Sequence, residues 1–166
     1  MQGKRPEKNR ISMSYLMLPQ DTNPHGYIHG GVILKYIDTT AGVVATRHAR
    51  GNAVTVSIDR TDFLLPVFVG EMVTFKANLN MVGRTSMEIG VRVEAENLVT
   101  GEIRHTNSAY LTLVALDENG RPTPVPPLLL ENPNDIRRQK EALARRRVRQ
   151  IMREEEQRSL KECTTC

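Results

Sequence analysis

Residues 29–48 read HGGVILKYIDTTAGVVATRH. From Gly30 to His48 the residues are apolar nearly all round a helical wheel, the pattern of a helix buried on several sides. Gly51-Asn52 is expected to close it. Beyond it the period changes to two. Val54, Val56 and Ile58 alternate with Thr55, Ser57 and Asp59; Val73, Phe75, Ala77, Leu79 and Met81 alternate with Thr74, Lys76, Asn78 and Asn80. Met87, Ile89, Val91, Val93 and Ala95 alternate with Glu88, Gly90, Arg92, Glu94 and Glu96, and residues 104–116 form a last strand, more apolar on both faces. The connections at Val82-Gly83-Arg84 and Thr100-Gly101-Glu102 are short, so the strands they join are antiparallel neighbours. Upstream, Ile11 to Leu18 reads as a strand ended by Pro19, and residues 19–29 are turn-rich, with Asp21, Asn23, Pro24 and Gly26. A single sheet must cover its apolar face. The helix between the first two strands is the cover, which makes an α+β domain over residues 11–130.

Pro122 to Pro127 reads as an extended linker of polyproline character. Residues 131–166 form a charged C-terminal extension, helical from Asn134 to about Leu160. Glu141 stands four residues before Arg145, and Glu154 four before Arg158. Ile136, Leu143, Val148 and Ile151 make a thin apolar stripe. The basic run at Arg145-Arg146-Arg147-Val148-Arg149 fits a solvated helix laid on the body or on a neighbouring subunit, and it also fits a phosphate contact.

The net charge of +4 sits at the two ends: residues 1–10 and 131–166 each carry +3, and residues 11–130 carry −2. The body therefore offers no broad basic field to a nucleic acid. The first ten residues have no apolar region, and Lys35 and Asp38 interrupt the apolar helix, so neither a signal peptide nor a membrane span is expected. The expected location is the cytoplasm. The only cysteines, Cys163 and Cys166, leave the body without a disulfide framework. As a Cys-x-x-Cys pair they could act in redox or as half a zinc site, but two ligands do not complete one, and two exposed thiols on a frayed tail is the simpler reading. No metal or cofactor is expected.

Chemistry is concentrated in the sixteen residues from Asn23 to Asp38. A carboxylate within an apolar helix is costly unless paired, hydrogen-bonded or useful. Asp38 either pairs with Lys35 or acts as a general base or nucleophile in a water-poor cleft. Gly30 and Gly31 are poor helix formers. They serve either a tight loop-to-helix junction or the close approach of a ligand to bare N–H groups at the positive helix end, an oxyanion hole. Asn23 can supply a second donor. His29 suits orientation of the loop more than proton transfer. Ser57, on the polar face of the next strand, could hold an attacking water.

The pattern Asn23-x5-His29-Gly30-Gly31-x6-Asp38 resembles the active-site signature of hotdog-fold acyl-CoA thioesterases, in the branch of the bacterial broad-range and animal cytosolic (brain-type) acyl-CoA hydrolases. Ser57-x-Asp59-Arg60-x2-Phe63-x2-Pro66, Gly83-Arg84-Thr85-Ser86-Met87, Arg104-His105-Thr106 and Pro124-Val125-Pro126-Pro127 continue the resemblance over nearly the whole chain beyond residue 10. It implies acyl-CoA as substrate, CoA as product and a hotdog fold. It further implies carbonyl polarisation by Asn23 and the Gly30 N–H, hydrolysis by Asp38, and coenzyme contacts at Arg60, Arg84, Thr85, Ser86 and Arg104. A homodimer is the minimum unit it implies, assembled into a trimer of dimers. A hotdog hydratase or dehydratase and a non-catalytic acyl-CoA sensor are the alternatives. The hydratase pattern Asp-x4-Asn-x-His is absent, and no DNA-reading segment accompanies the domain.

Overall fold

In chain order the elements are β1 (Ile11–Leu16), α1 (Gly30–Ala49), β2 (Asn52–Ile58), β3 (Met72–Val82), β4 (Ser86–Glu96), β5 (Ile103–Leu116) and α2 (Pro133–Cys163), in a computed structural model that describes residues 2–59 and 61–163. Arg60 and Cys166 lie outside the described residues, as does the side chain of Cys163. The chain divides into two compact units, Met1–Leu129 and Leu130–Cys166.

In the first unit the five strands form one antiparallel sheet in the order β1-β3-β4-β5-β2. The meander β3-β4-β5 follows from its short connections. β2 does not pair with β3. The thirteen-residue connection 59–71 is too long for a tight hairpin and carries the chain across the sheet, so β2 lies on the far edge against β5, with Val54 opposite Val114. Helix α1 packs against all five strands, which is the hotdog arrangement expected.

Ile33, Ile37, Ala41, Val44 and Ala45 bury one stripe of α1 against Phe75, Ile89, Val91 and Leu111. Tyr36 stacks on Tyr15 of β1 at 3.9 Å between ring centroids and tilts against Phe75 of β3 at 5.6 Å, which locks helix and sheet in register. The expectation of burial on several sides is not met within one chain. Val32, Leu34 and Val43, on the other faces, are only half-buried.

Helix α1 runs one residue beyond His48, and its left-handed cap falls on Arg50, one residue before the expected Gly51. Arg50 takes the left-handed conformation (φ 58°), and its N–H bonds to Thr46 O at 2.8 Å. The residues before β1 also belong to the body. Pro6 and Asn9 of a short 3₁₀ turn are buried, Lys4 bridges Leu128 in parallel, and Asn9 Nδ2 lies 3.0 Å from His48 Nδ1.

In the second unit, α2 carries an ion pair between Arg137 and Glu141 at 2.6 Å and another between Arg138 and Asp135 at 3.1 Å. Its residues Ile136, Leu143, Val148 and Ile151 are exposed.

Candidate active site

Asp38 lies in the middle of α1, half-buried on the side facing β2. It makes no ion pair with Lys35, whose ammonium sits over the ring of Tyr36, 5.6 Å from its centroid. The Thr55 hydroxyl instead donates to Asp38 Oδ1 at 2.6 Å, leaving Oδ2 for another partner. That bond explains the orientation of β2. Thr55 and Ser57 are half-buried, while Val54, Val56 and Ile58 are 43%, 49% and 43% exposed. The strand turns its polar face inward to meet the carboxylate. Thr55 is the hydroxyl bonded to the carboxylate, while Ser57 stands beyond a β-bulge and makes no hydrogen bond to Asp38.

At the start of α1, His29 is the N-cap, and its Nδ1 accepts the Gly31 N–H at 2.9 Å. The bond fixes the imidazole against the first turn and consumes the Gly31 donor. The Gly30 N–H has no protein acceptor among the described residues. Gly30 also has a packing reason to lack a side chain, because a Cβ there would come within 3.2 Å of the Phe63 ring. In the loop before it, Asn23 Oδ1 accepts the N–H groups of His25 at 2.9 Å and Tyr27 at 3.3 Å. That geometry pins the amide and leaves its NH₂ free to donate. Gly30 borders a cavity of about 320 Å³ lined mainly by apolar side chains, among them Tyr27, Ile33, Phe63 and Val67.

The two groups of candidate residues lie apart within one chain. Gly30 and Asp38 are eight residues apart on one helix, about 12 Å along its axis at ~1.5 Å per residue. The sheet repeats the separation. Thr55 is level with Leu113, whereas Asn107, at the cavity by Gly30, is six residues back along β5, about 20 Å at ~3.4 Å per residue.

The expected coenzyme residues fall into different situations. Arg84 is exposed and without a side-chain partner among the described residues, at the β3–β4 hairpin. Thr85 and Ser86 follow it, and Ser86 stands level with Val114 and hence with Val54. Arg104 is committed elsewhere: it forms an ion pair with Glu71, donates to Pro66 O at 3.2 Å and lies over the Phe68 ring. Its guanidinium pins the 66–71 segment. Among the described residues no cluster of three His, Cys, Asp or Glu side chains is placed to hold a metal ion.

Residues 25–102 match the thioesterase superfamily. Protein VdlD of Helicobacter pylori is 42% identical over 143 residues, covering 86% of this chain and 82% of that protein. An apo-hexameric acyl-CoA thioesterase of known structure superposes with a TM-score of 0.88 at 40% identity, over 92% of this chain and 97% of that one. The chain belongs to the thioesterase superfamily. Within it, the cytosolic acyl coenzyme A thioester hydrolase of Rattus norvegicus is 36% identical over 147 residues, 84% of this chain and 39% of that protein. An acyl-CoA hydrolase from Staphylococcus aureus, solved with butyryl coenzyme A, coenzyme A and coenzyme A disulfide, gives a TM-score of 0.87 at 29% identity over 97% of this chain and 98% of that one. Alanine variants of an asparagine, an aspartate and a threonine have been solved for that hydrolase, spaced along its chain as Asn23, Asp38 and Thr55 are along this thioesterase. Among the described residues no helix is long and apolar enough to cross a membrane.

Proposed function

We propose that the chain hydrolyses acyl-CoA to a free fatty acid and CoA, with Asp38 as general base and the Asn23 amide and Gly30 N–H as the oxyanion hole. The observation that carries this reading is the Thr55–Asp38 hydrogen bond, which fixes a carboxylate in an otherwise apolar helix and leaves Oδ2 unoccupied. Asp38 Oδ2 takes a proton from water as the water oxygen attacks the thioester carbonyl carbon. The carbonyl oxygen becomes an oxyanion that the two donors stabilise. Collapse breaks the C–S bond, and the proton held by Asp38 leaves with the CoA thiol.

Because Gly30 and Asp38 of one chain are too far apart to serve one carbonyl, the reading requires two copies. Two α1 helices lying antiparallel across a two-fold axis bring the start of one beside the middle of the other. The half-buried Val32, Leu34 and Val43 and the exposed Val54, Val56 and Ile58 are apolar surface suited to that contact. A trimer of such dimers is part of the proposal, since related thioesterases are hexameric.

Arg84, with Thr85 and Ser86 beside it, is the proposed contact for the coenzyme phosphates, and Arg60 is retained as a second. Nucleic acid and membrane play no part in this reading. A cytoplasmic location is proposed on the likeness to the cytosolic hydrolase. The test is thiol release from a series of acyl-CoA chain lengths, read with a thiol-reactive dye. Asp38→Asn should leave the fold intact and lower kcat by roughly 10²–10⁴-fold. Near-normal turnover in the folded variant overturns the assignment, and an inactive wild type overturns the function.

A further inference from the structure

The cavity beside Gly30 is lined by apolar side chains except for the Tyr27 hydroxyl and one amide at its sheet side. Asn107 of β5 lines it, is 1% exposed, and stands opposite Val93 on the face turned toward α1. Its Oδ1 accepts the Thr106 hydroxyl at 2.9 Å, but its Nδ2 has no partner among the described residues. The Thr106 hydroxyl also lies 3.3 Å from Val93 O. The amide can therefore be reversed, with Nδ2 donating to Thr106 Oγ1 and the Thr106 proton going to Val93 O. In that orientation Oδ1 is the atom left over. Either way, one polar atom of a fully buried amide remains unmatched among the described residues of its own chain. Native interiors leave few such groups, because each forfeits its hydration for nothing.

We infer that Asn107 makes this pocket selective for acyl groups that carry a hydroxyl. The inference rests on the acyl-CoA hydrolase reading and adds the substrate class. A carbonyl held at the Gly30 N–H sends its chain into this cavity, since Gly30 is part of the wall. A volume of about 320 Å³ admits on the order of ten non-hydrogen atoms, at ~30 Å³ for each water-sized group. A plain acyl chain of that size strips the amide of water and offers it nothing. A hydroxyl satisfies it in both orientations, its oxygen accepting from Nδ2 or its proton going to Oδ1. Asn107 is a specificity residue on this account and takes no part in bond breaking.

The experiment compares kcat/KM for hexanoyl-CoA with that for hydroxyhexanoyl-CoA isomers carrying the hydroxyl at each carbon from the third to the sixth. The wild-type protein, Asn107→Leu and Asn107→Val are measured side by side, and circular dichroism establishes which variants fold. At least one hydroxylated isomer should be preferred by the wild type by about tenfold, the scale of one net neutral hydrogen bond. The preference should vanish in the apolar variants while plain hexanoyl-CoA is hydrolysed as fast or faster. Equal rates for all isomers in the wild type overturn the inference, as does a preference that survives loss of the amide. Those results need hydrolysis of hexanoyl-CoA itself, so they leave the hydrolase reading standing. No thiol release from any acyl-CoA overturns that reading instead, and this inference with it.

Discussion

Replacing Thr55 with valine keeps the β-branched shape that strand β2 accommodates opposite Leu113 and removes one atom of interest, the hydroxyl that donates to Asp38 Oδ1 at 2.6 Å. A hydrogen bond to a charged group contributes about 1.5–3 kcal/mol. Each 1.36 kcal/mol corresponds to a factor of ten in rate, so full loss of this orienting bond lowers kcat by roughly 10–150-fold. Thr55 is a positioning residue in this account, acting through Asp38. KM should therefore change little, and Thr55→Ser, which keeps the donor, should retain most of the activity. Steady-state kinetics on one acyl-CoA, with the thermal midpoint of each variant measured alongside, separates these effects. A Thr55→Val protein with kcat within twofold of wild type, or with a raised KM alone, refutes the reasoning. Ser57→Ala is the internal comparison. Ser57 makes no bond to Asp38, so its loss should leave kcat nearly unchanged.

Three further outcomes follow from the geometry. His48 is buried between Asn9 and Pro126 O, and burial holds its pKa below the ordinary 6.5. The stability it contributes is fully present above about pH 6.5 and is lost as the pH falls toward the depressed folded value, so the thermal midpoint should drop on acidification, and His48→Gln should flatten that slope. Arg84→Ala should weaken acyl-CoA far more than acyl-pantetheine, whereas Arg104→Ala should weaken both alike, because Arg104 holds Glu71 and the 66–71 segment. Mixing inactive Asp38→Asn and Asn23→Ala subunits under exchange conditions should restore thiol release through hybrid dimers; no recovery, with exchange shown by mass spectrometry, places each site within one chain.

Strong periodicity made most of the fold legible. The helix from Gly30 and the strands β3, β4 and β5 follow directly from it, because each buries one continuous apolar face. β2 was legible as a strand but not in its orientation. The period of two assigns Val54, Val56 and Ile58 to the interior, yet the Asp38 carboxylate draws Thr55 inward and leaves the apolar residues outside. The same blind spot hid Thr55 as the residue that holds Asp38, since a threonine alternating with valines carries no local mark of its partner seventeen residues earlier. The Arg104–Glu71 ion pair and the Asn107 amide were out of reach for the same reason. Their roles depend on neighbours brought together only by the sheet. At the end of α1 the cap lies on Arg50 rather than Gly51, and because arginine rarely takes a positive φ nothing in its identity marks that position. The burial of Pro6 and Asn9 and the bridge from Lys4 to Leu128 carry no local mark in the sequence, because their partners lie far along the chain.

That last contact has a topological consequence. Lys4 and Leu128 run side by side, Lys4 N–H bonds to Pro127 O at 2.9 Å, and Leu129 N–H bonds to Lys4 O at 3.0 Å. The first unit is thereby cinched like a purse, its entry and exit tied at one knot beside the imidazole of His48. Because the two segments run parallel, joining them covalently requires a connector that doubles back rather than a hairpin. A flexible linker of about ten residues, spanning roughly 17 Å, suffices for such a return. A chain permuted in this way and opened at the exposed Val99-Thr100-Gly101 turn would keep every strand pairing of the sheet while moving its ends to the far side.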